Sequence, residues 1–229
     1  MSQPDVRAFA VGPVQENSYI VRADAGAARA VIVDPGEEPE RLLAAAEELG
    51  VEIEAILITH CHFDHIGAVA PVARATGAEV YCPAIERSVL ADVMSWVPPG
   101  FGPFESYEAE HTVAGGERLS LAGLEIEVLF TPGHSPGHVT YAASGVLLSG
   151  DVLFQGSVGR VDLPGGDWAT LERSIEGLLK KFPPETVVYP GHMGVTTLGR
   201  ERDTNPFLSE LRVPVPRATA APGAAPAES

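Results

Sequence analysis

The chain has 229 residues and carries 31 acidic against 15 basic side chains, a formal net charge of −16. Such a surface repels phosphate backbones and anionic lipids, which sets nucleic-acid and membrane-surface binding aside. Hydrophobic residues make up 45% of the chain, which excludes wholesale disorder, and two cysteines, Cys61 and Cys82, are too few for a disulfide framework.

Taken in chain order, residues 1–11 lack a basic start and an apolar run, and no stretch approaches the length of a membrane span. A cytoplasmic protein is therefore expected. Alternating or β-branched runs predict strands over 6–11, 18–21, 30–33, 55–58, 79–81, 124–130, 139–142, 146–148 and 186–189. An apolar stripe of Leu42, Leu43, Ala46 and Leu49, stopped by Gly50, predicts a helix over 40–49. A second helix is predicted over 167–182, with Asp167 as N-cap, Leu171, Ile175, Leu178 and Phe182 on one stripe, and Lys180 and Lys181 in its last turn. Strands alternating with helices point to α/β organisation, with one domain over 1–212. The Ala/Pro-rich stretch 213–229 has no periodicity and is expected to be a disordered tail.

The chemistry concentrates where strands end. Ala55-Ile56-Leu57-Ile58 runs into Thr59-His60-Cys61-His62-Phe63-Asp64-His65, which packs three histidines and one aspartate into six positions, 60–65. Imidazole and carboxylate suit zinc, iron or manganese. The same grammar recurs three times. Val128-Leu129-Phe130 leads to Thr131-Pro132-Gly133-His134, Val146-Leu147-Leu148 to Ser149-Gly150-Asp151, and Val187-Val188-Tyr189 to Pro190-Gly191-His192. If these strands lie side by side, His60, His62, Asp64, His65, His134, Asp151 and His192 meet at one sheet edge. Seven groups exceed the needs of one tetrahedral ion and suit two ions roughly 3.5–4 Å apart sharing a carboxylate.

Those motifs, HCHFDH followed by TPGHSPGH, SGD and PGH, resemble the metallo-β-lactamase superfamily. The segments FQGSVGRVDLPGGD and GHMGVTTLGRERDTNPFL narrow the resemblance to short glyoxalase-II-like hydrolases. The resemblance implies a four-layer αββα sandwich with the metals at one edge of two packed sheets. It implies that His60, His62 and His134 bind one divalent ion and Asp64, His65 and His192 a second, with Asp151 bridging. Zinc is the first expectation, with iron or manganese compatible. The implied activity is attack of a metal-held hydroxide on a small-molecule thioester, of the hydroxyacylglutathione hydrolase type, with Asp64 orienting the nucleophile. A lactonase and a mononuclear-iron persulfide dioxygenase use related scaffolds. His138 replaces the cysteine of the dioxygenases' GHTDGC-like segment, and VDLPGGD replaces their TDFQ-type run, which favours hydrolysis. The protein is expected to act as a monomer or homodimer.

Other residues receive lesser roles. His138 is read as supporting a ligand and His111 as a bystander. Cys61 is expected to pack beneath the site, and Cys82 at a buried strand end. Arg160 is expected to contact substrate or pair with Asp162, and Arg200 and Arg202 are read as helix-surface salt-bridge partners or as contacts for an anionic substrate tail. The aromatics of 94–107 are assigned first to core packing, with a pocket lining as the alternative.

Overall fold

Residues 3–209 are described by a computed structural model, and the expected tail at 213–229 lies outside them. Two six-stranded sheets are present. The first runs, in spatial and chain order, through β1 (Asp5–Val11), β2 (Glu16–Arg22), β3 (Arg29–Val33), β4 (Glu52–Leu57), β5 (Glu79–Pro83) and β6 (His111–Val113). Its first three strands are antiparallel and the remaining pairs parallel. The second sheet is built from β7 (Arg118–Leu121), β8 (Leu124–Phe130), β9 (Val139–Ala143) and β10 (Val146–Gly150). A small ribbon of β11 (Leu153–Phe154) and β12 (Ser157–Val158) follows, and β13 (Val187–Pro190) and β14 (Thr196–Thr197) rejoin the second sheet in the order β14-β13-β10-β9-β8-β7.

Strand periodicity explains the layers, because successive side chains point to opposite faces. In β3, Val31 and Val33 face inward to meet Ile126, Val128 and Tyr141 of the second sheet, while Ala30 and Ile32 face outward. The outward set packs beneath α1 (Pro39–Leu49) and a helix over Val69–Thr76 through Ala45, Ala46, Val69 and Val72. On the far side, Leu147 and Val188 point away from the intersheet core and receive Leu171, Ile175 and Leu178 of the helix over Trp168–Lys181. The central strands of both sheets are thus apolar on both faces and read as continuous hydrophobic runs, whereas the outer strands β1, β7 and β8 alternate. Two packed mixed sheets flanked by helices make the four-layer αββα sandwich that the sequence motifs led one to expect.

The two expected helices form. Gly50 ends the first in a left-handed conformation, φ 65°, with its N–H turned back to Ala46 and Glu47. Asp167 caps the second by accepting from the Thr170 N–H at 2.8 Å. The strands β6 and β7 and the helix over Val69–Thr76 went unexpected. The edge strands are short and polar, and the helix is only eight residues long and begins inside an apolar run, 66–73, that reads equally as strand or helix. No helix among the described residues is long and apolar enough to cross a membrane.

Candidate metal centre

Strand direction brings the predicted groups together. β8 and β10 are both antiparallel to β9, and β13 is parallel to β10, so all three run the same way and their carboxyl ends share one edge. His134, Asp151 and His192 follow those ends. His60 and His62 follow β4, and Asp64 and His65 lie on the short helix α2 (Phe63–Ile66). All seven converge.

Two triads result: the nitrogens of His60, His62 and His134 form one, and the donors of Asp64, His65 and His192 the other. In the first, His62 Nδ1 lies 3.1 Å from His60 Nε2 and 2.8 Å from His134 Nε2. In the second, His192 Nε2 lies 3.3 Å from Asp64 Oδ2, and His65 Nε2 lies 3.9 Å from the same oxygen. Asp151 stands between them. Its Oδ2 is 3.4 Å from His134 Nε2 and 3.6 Å from His192 Nε2, and its Oδ1 is 3.4 Å from His65 Nε2.

Hydrogen bonds behind the site fix which nitrogens are bare. The Thr59 hydroxyl donates to Asp34 at 2.6 Å, so its lone pairs are left to accept from His60 Nδ1–H at 3.0 Å. His60 Nε2 therefore carries no proton in the neutral ring. His134 Nδ1–H donates to the Arg160 carbonyl at 2.7 Å, which likewise leaves Nε2 bare. His65 Nδ1–H donates to Asp34 at 3.0 Å and turns its Nε2 toward Asp151. Such outer partners set ligand tautomer and orientation. Neither His65 Nε2 nor Asp151 Oδ1 has a hydrogen-bond partner, although both are buried. Orphaned buried donors facing bare imidazole nitrogens fit a bound cation. Asp34, His60 and His65 also lie close enough to form a third triad, but the Asp34 oxygens are occupied by Thr59 and His65.

The electrostatics of the triads differ. Burial, reinforced by neighbouring imidazoles, holds His60 well below the ordinary histidine range and pushes His62 down to about 4. Burial also pushes His65 down, but the Asp151 and Asp64 carboxylates outweigh it and carry it well above its usual value. His192 is likewise raised, by Asp64 and Asp151 against burial. Burial pushes Asp151 and Asp64 up, yet His65 and the other histidines overcome it and hold both carboxylates ionised.

Several supports escaped sequence reasoning. Glu86, 5% exposed, accepts from the Cys61 N–H at 2.6 Å, the Ser135 hydroxyl at 2.5 Å and the Gly137 N–H at 2.8 Å. It thereby ties the His60–His62 loop to the His134 loop. Asn17 pins the His192 loop through the carbonyls of Pro190 and Met193, at 3.0 and 2.9 Å. Glu16 is fully buried behind His65 without a hydrogen bond, and burial pushes its carboxyl well up. Gly191 has no room for a side chain, because a β-carbon would overlap Asp151 Oδ1 and His65 Cε1. Gly191 lies in the quoted Pro190-Gly191-His192 turn, and Asp34 also had a sequence signal, since Val31-Ile32-Val33 runs into Asp34-Pro35-Gly36 with the same strand-end grammar.

The remaining expectations divide. His138 is wholly buried and accepts the Asp151 N–H at 3.0 Å, with its Nδ1–H directed to Thr131. It positions the shared aspartate. Cys61 and Cys82 are buried free thiols whose sulfurs lie 3.5 Å apart. His111 starts β6, stacks on Tyr81 and pairs with Glu79, away from the site. Phe101 and Phe104 pack on Phe63, whereas Trp96 lines the cavity above the triads. Arg160 also lines that cavity and is held by Asp162 through two hydrogen bonds of 2.6 and 2.7 Å. Arg200 and Arg202, on the helix Leu198–Thr204, do not line it, and Arg202 pairs with Asp203.

A fold of two mixed sheets with a His/Asp cluster at one edge defines a class of divalent-metal proteins, and the comparisons agree. The chain belongs to the metallo-β-lactamase superfamily, whose profile matches residues 11–192. It is 40% identical over 210 residues to a probable metallo-hydrolase, YqgX, of Bacillus subtilis, covering 89% of this chain and 97% of that one. It is 34% identical over 215 residues to the hydroxyacylglutathione hydrolase GloC of Haemophilus influenzae, covering 90% and 98%. Among solved structures, the BLEG-1 B3 metallo-β-lactamase superposes with a TM-score of 0.84 at 38% identity, covering 90% of this chain and all (100%) of that one. TTHA1623, crystallised in a di-iron-bound form, gives 0.71 at 43% identity, covering 88% and 100%.

Proposed function

We propose that this chain is a thioester hydrolase of the glyoxalase II type that works with two divalent ions. The observation that carries the reading is the position of Asp151, within 3.6 Å of ring nitrogens in both triads. His60, His62 and His134 hold one ion in this reading, Asp64, His65 and His192 the other, and Asp151 is shared. The donors, all nitrogen or carboxylate oxygen, suit zinc and also admit iron or manganese. When bound, the pair supplies a nucleophile from water at neutral pH and Lewis acidity toward a carbonyl.

The chain's own residues supply the rest. Asp64, kept ionised in its buried setting, accepts a hydrogen bond from the attacking water and aims its lone pair at the acyl carbon. Beyond the seven converging groups, the described cavity lining has only Cys61, Glu86 and Arg160 as titratable side chains. Cys61 and Glu86 are buried, and Arg160 is committed to Asp162. No side chain is free to protonate a leaving group. A thiolate, whose conjugate acid has a pKa near about 8.5, departs without such help, whereas an amide nitrogen does not. The similarity to a hydroxyacylglutathione hydrolase supports the same class.

The test is to purify the protein without added metal, quantify zinc, iron and manganese, and assay a thioester panel that includes S-lactoylglutathione. About two metals per chain, with cleavage abolished by chelation, is the expected result. A single iron, no thioester cleavage and oxygen uptake with glutathione persulfide would overturn it.

A further inference from the structure

Above the triads opens a cavity of about 840 Å³, large enough for a drug-sized ligand. Its floor is the polar cluster, but its walls are largely apolar. Val14, Ile85, Val89, Trp96, Leu163 and Met193 all line it. Val14, Ile85, Trp96 and Met193 are among the most exposed large apolar side chains of the described residues, at 37%, 58%, 58% and 57%. Large apolar groups left in water around a cavity mouth mark a surface that a ligand covers.

The charges on the walls point the same way. A glutathione thioester brings two carboxylates, and burying them requires cations or hydrogen-bond donors in return. Arg160 is the one cationic side chain among the described residues of the lining, and Asp162 already occupies its guanidinium on two sides. The whole chain, at −16, adds repulsion. Arg200 and Arg202 are not in the cavity.

From this we infer that the cavity selects thioesters with an uncharged, apolar acyl arm over the doubly carboxylated glutathione esters. The inference rests on the thioesterase reading and names the substrate class of that site. Water adds across the acyl C–S bond: the acyl carbon takes the hydroxyl, the sulfur takes the proton, and nothing is oxidised or reduced. Trp96 and Ile85 supply apolar area at the mouth, where each methylene taken from water is worth about fourfold in affinity.

The experiment compares S-hexanoyl-N-acetylcysteamine, S-lactoyl-N-acetylcysteamine and S-lactoylglutathione on the metal-loaded full chain. The expected order puts the hexanoyl ester first in kcat/KM over either lactoyl ester, by at least about tenfold and up to about 60-fold if its three additional carbons all leave water. Trp96→Ala raises KM for the hexanoyl ester several-fold with kcat little changed, and its melting temperature stays near that of the parent because Trp96 is mostly exposed. Cleavage of all three with S-lactoylglutathione preferred would overturn the inference and leave the hydrolase reading standing. Cleavage of none by protein holding two metals would overturn both.

Discussion

The two triads are assembled by opposite means. In the His60, His62 and His134 triad, two loops from different sheets are clamped by one buried carboxylate, Glu86, and burial keeps His60 and His62 uncharged. In the Asp64, His65 and His192 triad, the second ring nitrogen of His65 is claimed by Asp34, Asn17 pins the loop from outside, and His65 and His192 are raised by carboxylates. One half is organised as a neutral nest of nitrogens and the other as a set of ion pairs. The difference teaches that two adjoining triads of metal-ligating side chains need not be built alike, even where one carboxylate, Asp151, stands between them.

Removing the shared group breaks the comparison altogether. Asp151→Ala is expected to lower turnover at least about a thousandfold and to drop metal content below two per chain, read by elemental analysis on the assayed sample. Asp34→Ala acts chiefly on one half, although it also frees Thr59, whose hydroxyl accepts from His60 in the other. It strips His65 of its orienting partner and should weaken the second ion by about 10–100-fold, leaving close to one metal per chain. Imidazole resonances of 15N-labelled protein then show His65 and His192 released while His60, His62 and His134 stay bound. Glu86→Gln is the mirror experiment. The amide cannot accept at both ends, so one loop loses its anchor at a cost of about 1–3 kcal/mol, read from denaturant unfolding. Metal loss should fall on the first half, and loss from the second would refute the clamp.

A fourth change lies away from both halves and has the smallest effect. Burial pushes the Asp5 carboxyl up, but the Arg22 hydrogen bond at 2.6 Å and the nearby Arg7 outweigh it and hold it below its ordinary value. A depressed folded pKa gives stability that is present above the unfolded pKa and lost as pH falls through the folded one. Asp5→Asn should therefore cost less than about 1 kcal/mol at pH 7 and nothing at pH 2. Acid unfolding that follows this difference would be independent of metal and can be subtracted from the effects at the triads.

Much of the cluster was legible because its converging side chains obey a rule visible in sequence: a buried strand, then a short turn, then a histidine or aspartate. Asp34 obeys it too, after Val31-Ile32-Val33, but a lone aspartate in such a turn is a weaker signal than a histidine cluster. Glu86 obeys no such rule. It lies in the turn after β5, distant in sequence from Ser135 and Gly137, and its role exists only once the sheets pack. The layers were readable from β-branched runs, whereas β6 and β7 were hidden by their polarity. The arginines mark the limit of composition as a guide. Arg160 reaches the cavity already paired, and the helix carrying Arg200 and Arg202 faces elsewhere.

The chain has two tryptophans, and the structure separates them sharply. Trp168 sits at the start of its helix against Phe207, while Trp96 stands at the cavity mouth. The molecule thus carries a built-in optical gauge. Drying of the Trp96 indole by a bound acyl arm should shift its emission to the blue, with Trp168 as a constant background. Occupancy could then be followed with a non-cleavable thioether, independently of whether any bond is broken.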